Sequence, residues 1–119
     1  MKLTRIALAV FALGALQFAT AAWPQAYPSK PIRLVVTNAP GGATDILGRL
    51  VADRLGQRFG QQVLVDNKPG AGGNIAGTFL ARAVADGHTL LLVNHPGVTT
   101  APVISKDAGF DQLKDFAPV

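Results

Sequence analysis

Three short apolar runs, separated by two stretches of helical periodicity with a glycine-rich break at each strand-to-helix junction, restrict this chain to an alternating α/β architecture. Residues 32–36 are β-branched and almost continuously apolar, introduced by Pro31 and stopped by Pro40, Gly41 and Gly42. That is the pattern of a strand buried on both faces. From residue 44 to 59 Leu47, Val51, Leu55 and Phe59 recur every four positions, with Ile46 and Leu50 beside them. Arg49, Asp53, Gln57 and Arg58 fall outside that stripe, so the segment is predicted to be an amphipathic helix with its stripe toward the core. Thr44 or Asp45 is placed to cap its start, and Gly60 fits the left-handed position after its end. Residues 62–66 repeat the strand signal, residues 67–73 are a second glycine-rich break, and Asn74 offers a second N-cap. Ile75, Phe79, Leu80, Ala83 and Val84 mark a second helical face that Asp86-Gly87 ends, and residues 89–93 supply a third strand. Strands joined by single helices lie parallel through right-handed crossovers, so the expectation is a parallel β-α-β-α-β unit.

Composition narrows what such a unit can do. Of 119 residues 49% are hydrophobic and 15% charged, which supports a packed core and excludes a disordered chain. The formal charge is +4, and setting aside Lys2 and Arg5 at the front leaves +2. The other basic residues form no run and have no interleaved aromatics, so no nucleic-acid partner is expected. With no cysteine there is neither a disulfide framework nor a thiolate metal site.

The front of the chain carries Lys2 and Arg5, an uncharged apolar stretch over residues 6–16, and then Ala19, Thr20, Ala21 and Ala22. This is the layout of a cleavable secretory signal. The apolar stretch is shorter than the roughly 18 residues that a membrane span requires. Residues 1–21 are therefore expected to be a signal peptide, cut after Ala21 or Ala22, and export to the periplasm is expected.

In a parallel sheet the carboxyl end of each strand faces the amino end of the next helix, so both glycine-rich breaks should line one edge. Glycine allows close backbone approach, and unpaired amides at a helix start attract anions. Pro40, Gly41, Gly42, Ala43, Thr44 and Asp45 form one candidate grip for a carboxylate. Gly70, Ala71, Gly72, Gly73 and Asn74 form the other. His95, after the third strand, is placed to reach the same edge, whereas His88, between a turn and a strand, reads as structural. Asp45 reads as a cap for helix amides, or as a group orienting a ligand amine or bridging water; Asp66 and Asn67 read as turn formers. A dinucleotide fingerprint fails because Gly70 and Gly72 are followed by Ile75 at the third place, and no Gly-Lys-Ser or Gly-Lys-Thr is present. The sequence has no glutamate and only two histidines, and it offers no acid–base pair, so neither an enzyme nor a cofactor or metal is expected.

With these residues in place the sequence resembles the receptor proteins of tripartite tricarboxylate transporters, the Bug proteins. Five ordered blocks carry the likeness: Tyr27-Pro28-Ser29-Lys30-Pro31-Ile32, Pro40-Gly41-Gly42-Ala43-Thr44-Asp45, Asn67-Lys68-Pro69-Gly70-Ala71-Gly72-Gly73-Asn74, Asp86-Gly87-His88-Thr89-Leu90-Leu91 and Asp115-Phe116-Ala117-Pro118-Val119. The resemblance implies a type II periplasmic-binding fold of two α/β lobes closing on a solute, which is handed to membrane permease subunits. It implies a small carboxylate as ligand, such as a dicarboxylate, acidic amino acid, citrate or aromatic acid, held by the two loops through backbone amides and waters. The family's first loop usually reads Pro-Phe where Thr37-Asn38 stands here, which implies a more polar pocket.

Members of that family are much longer. By the resemblance, residues 22–119 correspond to the N-terminal part of the first lobe, with an incomplete sheet, so weak solute binding by the chain unaided is expected. A fragment of a longer protein and a decayed gene product fit equally. Besides a transport receptor, the alternatives are a periplasmic sensor acting on a membrane signalling partner and a truncated product without function.

Overall fold

The computed structural model describes residues 26–94 and 109–119. The expected signal peptide and its cleavage site lie outside the described residues, as does His95.

The described elements follow the alternation read from the sequence: β1 (Ile32–Val36), α1 (Ala43–Phe59), β2 (Val63–Asn67), a 3-10 turn (Ala71–Gly73), α2 (Asn74–Ala81) and β3 (Thr89–Leu92). The three strands form one parallel sheet in the order β2-β1-β3. The central strand carries most of the core: Ile32, Val35 and Val36 are fully buried and Leu34 nearly so. Val36 meets α1, while Arg33, on the other face of the strand, lies over the Phe79 ring of α2 at 5.7 Å. The two helices therefore cover opposite faces, as successive right-handed crossovers from a central strand require.

The packing of α1 corrects the sequence-based expectation. The residues it buries are Thr44, Asp45, Gly48 and Ala52, whereas Ile46, Leu47, Leu50 and Val51 are exposed among the described residues. Small side chains win because the helix lies very close to the sheet. A methyl added at Gly48 would stand 2.9 Å from Val36 Cγ2 and 3.4 Å from Leu92 Cδ2, so a large residue cannot occupy that face. The four-residue stripe is real as a pattern, but in this structure it faces away from the sheet.

Element ends shift as well. The N-cap position of α1 is Gly42 and that of α2 is Gly73, and neither has a side-chain cap. The capping roles expected of Thr44, Asp45 and Asn74 are not realised, because all three already lie inside their helices. The second helix stops at Ala81 rather than continuing to Asp86; Ala83 N–H bonds back to Leu80 O, a tightened last turn. Gly60 does adopt the left-handed position after α1 and donates to Gly56 O.

Residues ahead of β1 are tied to the turn between α2 and β3. The Tyr27 hydroxyl donates to Gly87 O at 2.7 Å, and Lys30 pairs with Asp86 at 2.7 Å. His88 is buried there with its Nδ1 at 3.0 Å from Asp86 O and its ring edge-on to Tyr27, at the edge opposite the candidate loops. That placement fits the structural role read from its sequence context. The terminal segment docks through Phe110, whose ring stands directly over Gly77 of α2 and contacts Phe116.

Candidate functional site

Parallel register brings the carboxyl ends of all three strands level, with Val36 opposite both Asn67 and Leu92. The loop after β1, the loop after β2 and the residues after β3 therefore emerge at one edge of the sheet. In open α/β sheets this edge is where ligands bind.

The first loop reaches this edge through residues 37–42 and enters α1. Gly41, at φ 85°, makes the left-handed turn that lets the chain reverse into the helix. The first helical hydrogen bond runs from Ile46 N–H to Gly42 O at 3.0 Å. The amides of Ala43, Thr44 and Asp45 consequently precede the ladder and have no acceptor within the helix. With no side-chain cap present, the positive end of α1 is open toward the edge.

Asp45 keeps this loop in shape. Its side chain is buried, Oδ2 accepts from Gly41 N–H at 2.8 Å and from Arg49 Nε at 3.0 Å, and Oδ1 accepts from Asn67 Nδ2 at 2.9 Å. The Arg49 hydrogen bond, then the Gly41 amide and the Asn67 side chain, outweigh desolvation and lower its pKa to about 2. An ionised carboxylate this fully engaged serves the scaffold. It neither caps the helix nor presents a free charge.

Asn67, read as a turn former, has a larger part. It ends β2, donates to Asp45 and also to Asn38 O at 3.0 Å, while Lys68 N–H bonds Val36 O at 2.8 Å. Nothing in the sequence links positions 45 and 67, which lie 22 residues apart; Asp45 and Arg49, four apart on α1, pair in the structure.

The second loop is organised differently. Gly70, Ala71, Gly72 and Gly73 all have positive φ, and Ala71 does so at 46° without glycine's freedom. Gly73 N–H is spent on Gly70 O and Asn74 N–H on Ala71 O. Ala71 and Gly72 are left exposed at the edge, whereas Gly73 is buried and Asn74 half-buried. Asn74 Oδ1 has no hydrogen-bond partner among the described residues although it is shielded from solvent. Of the first loop's candidates, Pro40, Gly41 and Ala43 are exposed, Gly42 is half-buried and Thr44 is buried. Both loops thus reach the same edge.

Two open clefts with volumes near 780 Å³ and 700 Å³ lie elsewhere, one between α1 and β2 and one between β3 and the terminal segment. Among the described residues no group of three or more His, Asp or Glu could hold a metal ion.

Comparison with known proteins locates this arrangement. The family model described as the tripartite tricarboxylate transporter family receptor matches residues 47–119. The chain belongs to this family. Within the curated proteins, a UPF0065 protein of Bordetella bronchiseptica is 44% identical over 99 residues, covering 83% of this chain and 30% of its own length. The solved structure of the periplasmic binding protein BugD superposes with a TM-score of 0.73 at 42% identity, over 78% of this chain and 31% of that one. MatC from Rhodopseudomonas palustris, solved with bound malate, gives 0.72 at 34% identity, over 78% of this chain and 32% of that one. As a receptor-family member the chain thus spans about three tenths of the length of these relatives, and it shares their fold over the described sheet.

Proposed function

We propose that this chain is the first-lobe part of a periplasmic receptor that captures a small carboxylate for a tripartite tricarboxylate-type transporter. The carrying observation is the open amino end of α1 beside the second glycine-rich loop at the level carboxyl edge of the sheet. Ala43, Thr44 and Asp45 offer three amides without helical acceptors, and the helix dipole adds attraction for an anion. Gly41 and Gly42, after Pro40, keep side chains out of the approach, Gly70 to Asn74 supply the facing wall, and His95 is proposed as a further ligand contact. Asp45 holds the first loop and contributes no free charge against the ligand. Malate in MatC, a relative by fold and sequence, supports the carboxylate class. Residues 1–21 act as the export signal, residues 22–119 form the lobe segment, and permease subunits in the cytoplasmic membrane take the solute.

The test is ligand-observed NMR of the chain with succinate, malate and benzoate, repeated for Gly42→Val and Gly72→Ala with circular dichroism alongside. A Cβ at Gly42 meets only ordinary contact, 3.4 Å from Ala39 O, and one at Gly72 meets nothing within 4 Å, though φ 63° makes Gly72→Ala the more strained of the two, so the dichroism control decides whether each is read. Binding at millimolar ligand, lost in the variants with unchanged dichroism, is the expected result. Equal affinity in all three proteins rejects the site.

A further inference from the structure

β2 is an outermost strand of the sheet, and its free side is chemically unfinished. In a parallel ladder the N–H and C=O of one residue turn to the same side and those of the next residue to the other. Gln62 O accepts from Ile32 N–H at 2.9 Å, and Lys68 N–H donates to Val36 O at 2.8 Å. The even-numbered residues of β2, Leu64 and Asp66, therefore serve β1. The amides and carbonyls of Val63 and Val65 turn outward, where no strand pairs with them among the described residues.

Edge strands that must stay single usually carry a charge, a proline or a bulge at the exposed stretch. Residues 63–65 of β2 carry none of these. Leu64 projects on the α2 face beside Arg33 and is 47% exposed. On the opposite face the cleft of about 780 Å³ runs along the strand, lined by Val63 and Val65 and by Arg49, Asp53, Gly56 and Gln57 of α1. That helix wall holds one charge of each sign, so a second copy brought against it meets no net like charge.

We propose that β2 pairs antiparallel with β2 of a second copy about a twofold axis at Leu64, joining two three-stranded sheets into one. The segment Gln62-Val63-Leu64-Val65-Asp66 complements its own rotated image in this register. Val63 lies opposite the partner's Val65, so outward-facing groups meet outward-facing groups and each such pair exchanges both N–H···O bonds. The two exposed Leu64 side chains meet at the axis, and Gln62 lies opposite the partner's Asp66, an amide donor against a carboxylate. An axis at Asp66 would instead set two carboxylates face to face. The helices fit as well: α1 packs over β2 and β1, and strands about 4.8 Å apart bring two such helices to about 10 Å across the cleft, an ordinary packing distance. Because the paired strands run antiparallel, the two carboxyl edges point in opposite directions and both candidate carboxylate sites stay open.

The chain has no cysteine, so Leu64→Cys reports the axis directly. Opposed residues of a non-hydrogen-bonded antiparallel pair stand about 4.5 Å apart at Cα, within disulfide range. Mild oxidation of Leu64→Cys is expected to give a covalent dimer about tenfold faster than that of Leu113→Cys, an exposed position away from β2, because pairing raises the local thiol concentration. In the native chain, sedimentation equilibrium is expected to show a monomer–dimer equilibrium. Hydrogen exchange at the Val63 and Val65 amides should slow as dimer forms, while the Leu64 and Asp66 amides, already in the ladder, stay unchanged. Val65→Pro removes an outward amide without touching the ladder to β1, and Leu64→Lys sets two ammonium groups together at the axis; each is expected to abolish the dimer with unchanged circular dichroism. Leu64 is exposed, so Leu64→Lys decides the matter even if Val65→Pro disturbs the fold. A monomer at every concentration with equal oxidation rates for the two cysteine variants overturns the proposal. A dimer that survives Leu64→Lys, or that Leu47→Lys on α1 dissolves instead, overturns it too.

Discussion

Asn67 Nδ2 donates to Asp45 Oδ1 at 2.9 Å, joining the last residue of β2 to the first turn of α1. The same nitrogen donates to Asn38 O, so one carboxamide fixes the start of the helix and the loop that leads into it. Asn67→Ala removes both bonds and is expected to cost about 2 kcal/mol. Hydrogen exchange should accelerate at residues 38–45 before it does so in β1. Unchanged exchange in that loop would show that Asn67 is not its anchor.

Acid should loosen the same region. The pKa of Asp45 is lowered to about 2 by Arg49, the Gly41 amide and Asn67, and that of Asp86 to about 2 by Lys30 and the His88 amide. Both folded values lie below the ordinary 3.8, so the stability these groups contribute is complete above pH about 4 and is lost as pH falls toward about 2. Thermal unfolding midpoints should therefore fall between pH 5 and pH 2, and less steeply in Asp45→Asn, where Asp86 alone of the pair still titrates. Parallel curves for the two proteins would remove Asp45 from the explanation.

Gly77 tests how the terminal segment docks. Replacing a helical glycine by alanine normally stabilises by about 1 kcal/mol. Here the added methyl would stand 2.5 Å from Phe110 Cε1, and overpacking costs about 1–3 kcal/mol. Gly77→Ala is expected to lose about 1 kcal/mol net, and the loss should vanish when Phe110→Ala is added. Stabilisation by Gly77→Ala in the otherwise native chain would mean that Phe110 does not pack there.

The outward face of α1 gives a contrast between neighbours. Leu47, exposed at 56%, should accept Lys within about 0.5 kcal/mol and with less self-association of the chain, because its apolar surface faces solvent among the described residues. Ala52, at 6%, should not tolerate Lys, since the ammonium would enter the contact with the sheet. Denaturant titrations that place the two substitutions at similar cost would refute the orientation of the helix.

The alternation of elements was legible because each strand and each glycine break has a local cause: a mostly β-branched run at 32–36, a short apolar run at 89–92, and backbone turns such as Gly41. The direction of α1 was not legible. Periodicity reports that Leu47, Val51 and Leu55 share a face, but the face chosen depends on how closely Gly48 approaches Val36, a tertiary property. The same holds at the candidate edge. Pro40 to Asp45 and Gly70 to Asn74 could be read as loops on one edge from strand order alone. The role of Asn67 could not, since it depends on a partner 22 residues away.

The central claim, that the open amino end of α1 and the second loop hold a carboxylate, is tested most directly by mapping backbone amide shifts in the labelled chain during titration with succinate and with its dimethyl ester. The ester has the same carbon skeleton without the charge. The expected result is a saturable shift of the Ala43, Thr44 and Asp45 amides, accompanied by those of Ala71 and Gly72, with succinate alone. Shifts that are equal with the ester, or that fall along β2 and the outer face of α1 while these amides stay fixed, would contradict it.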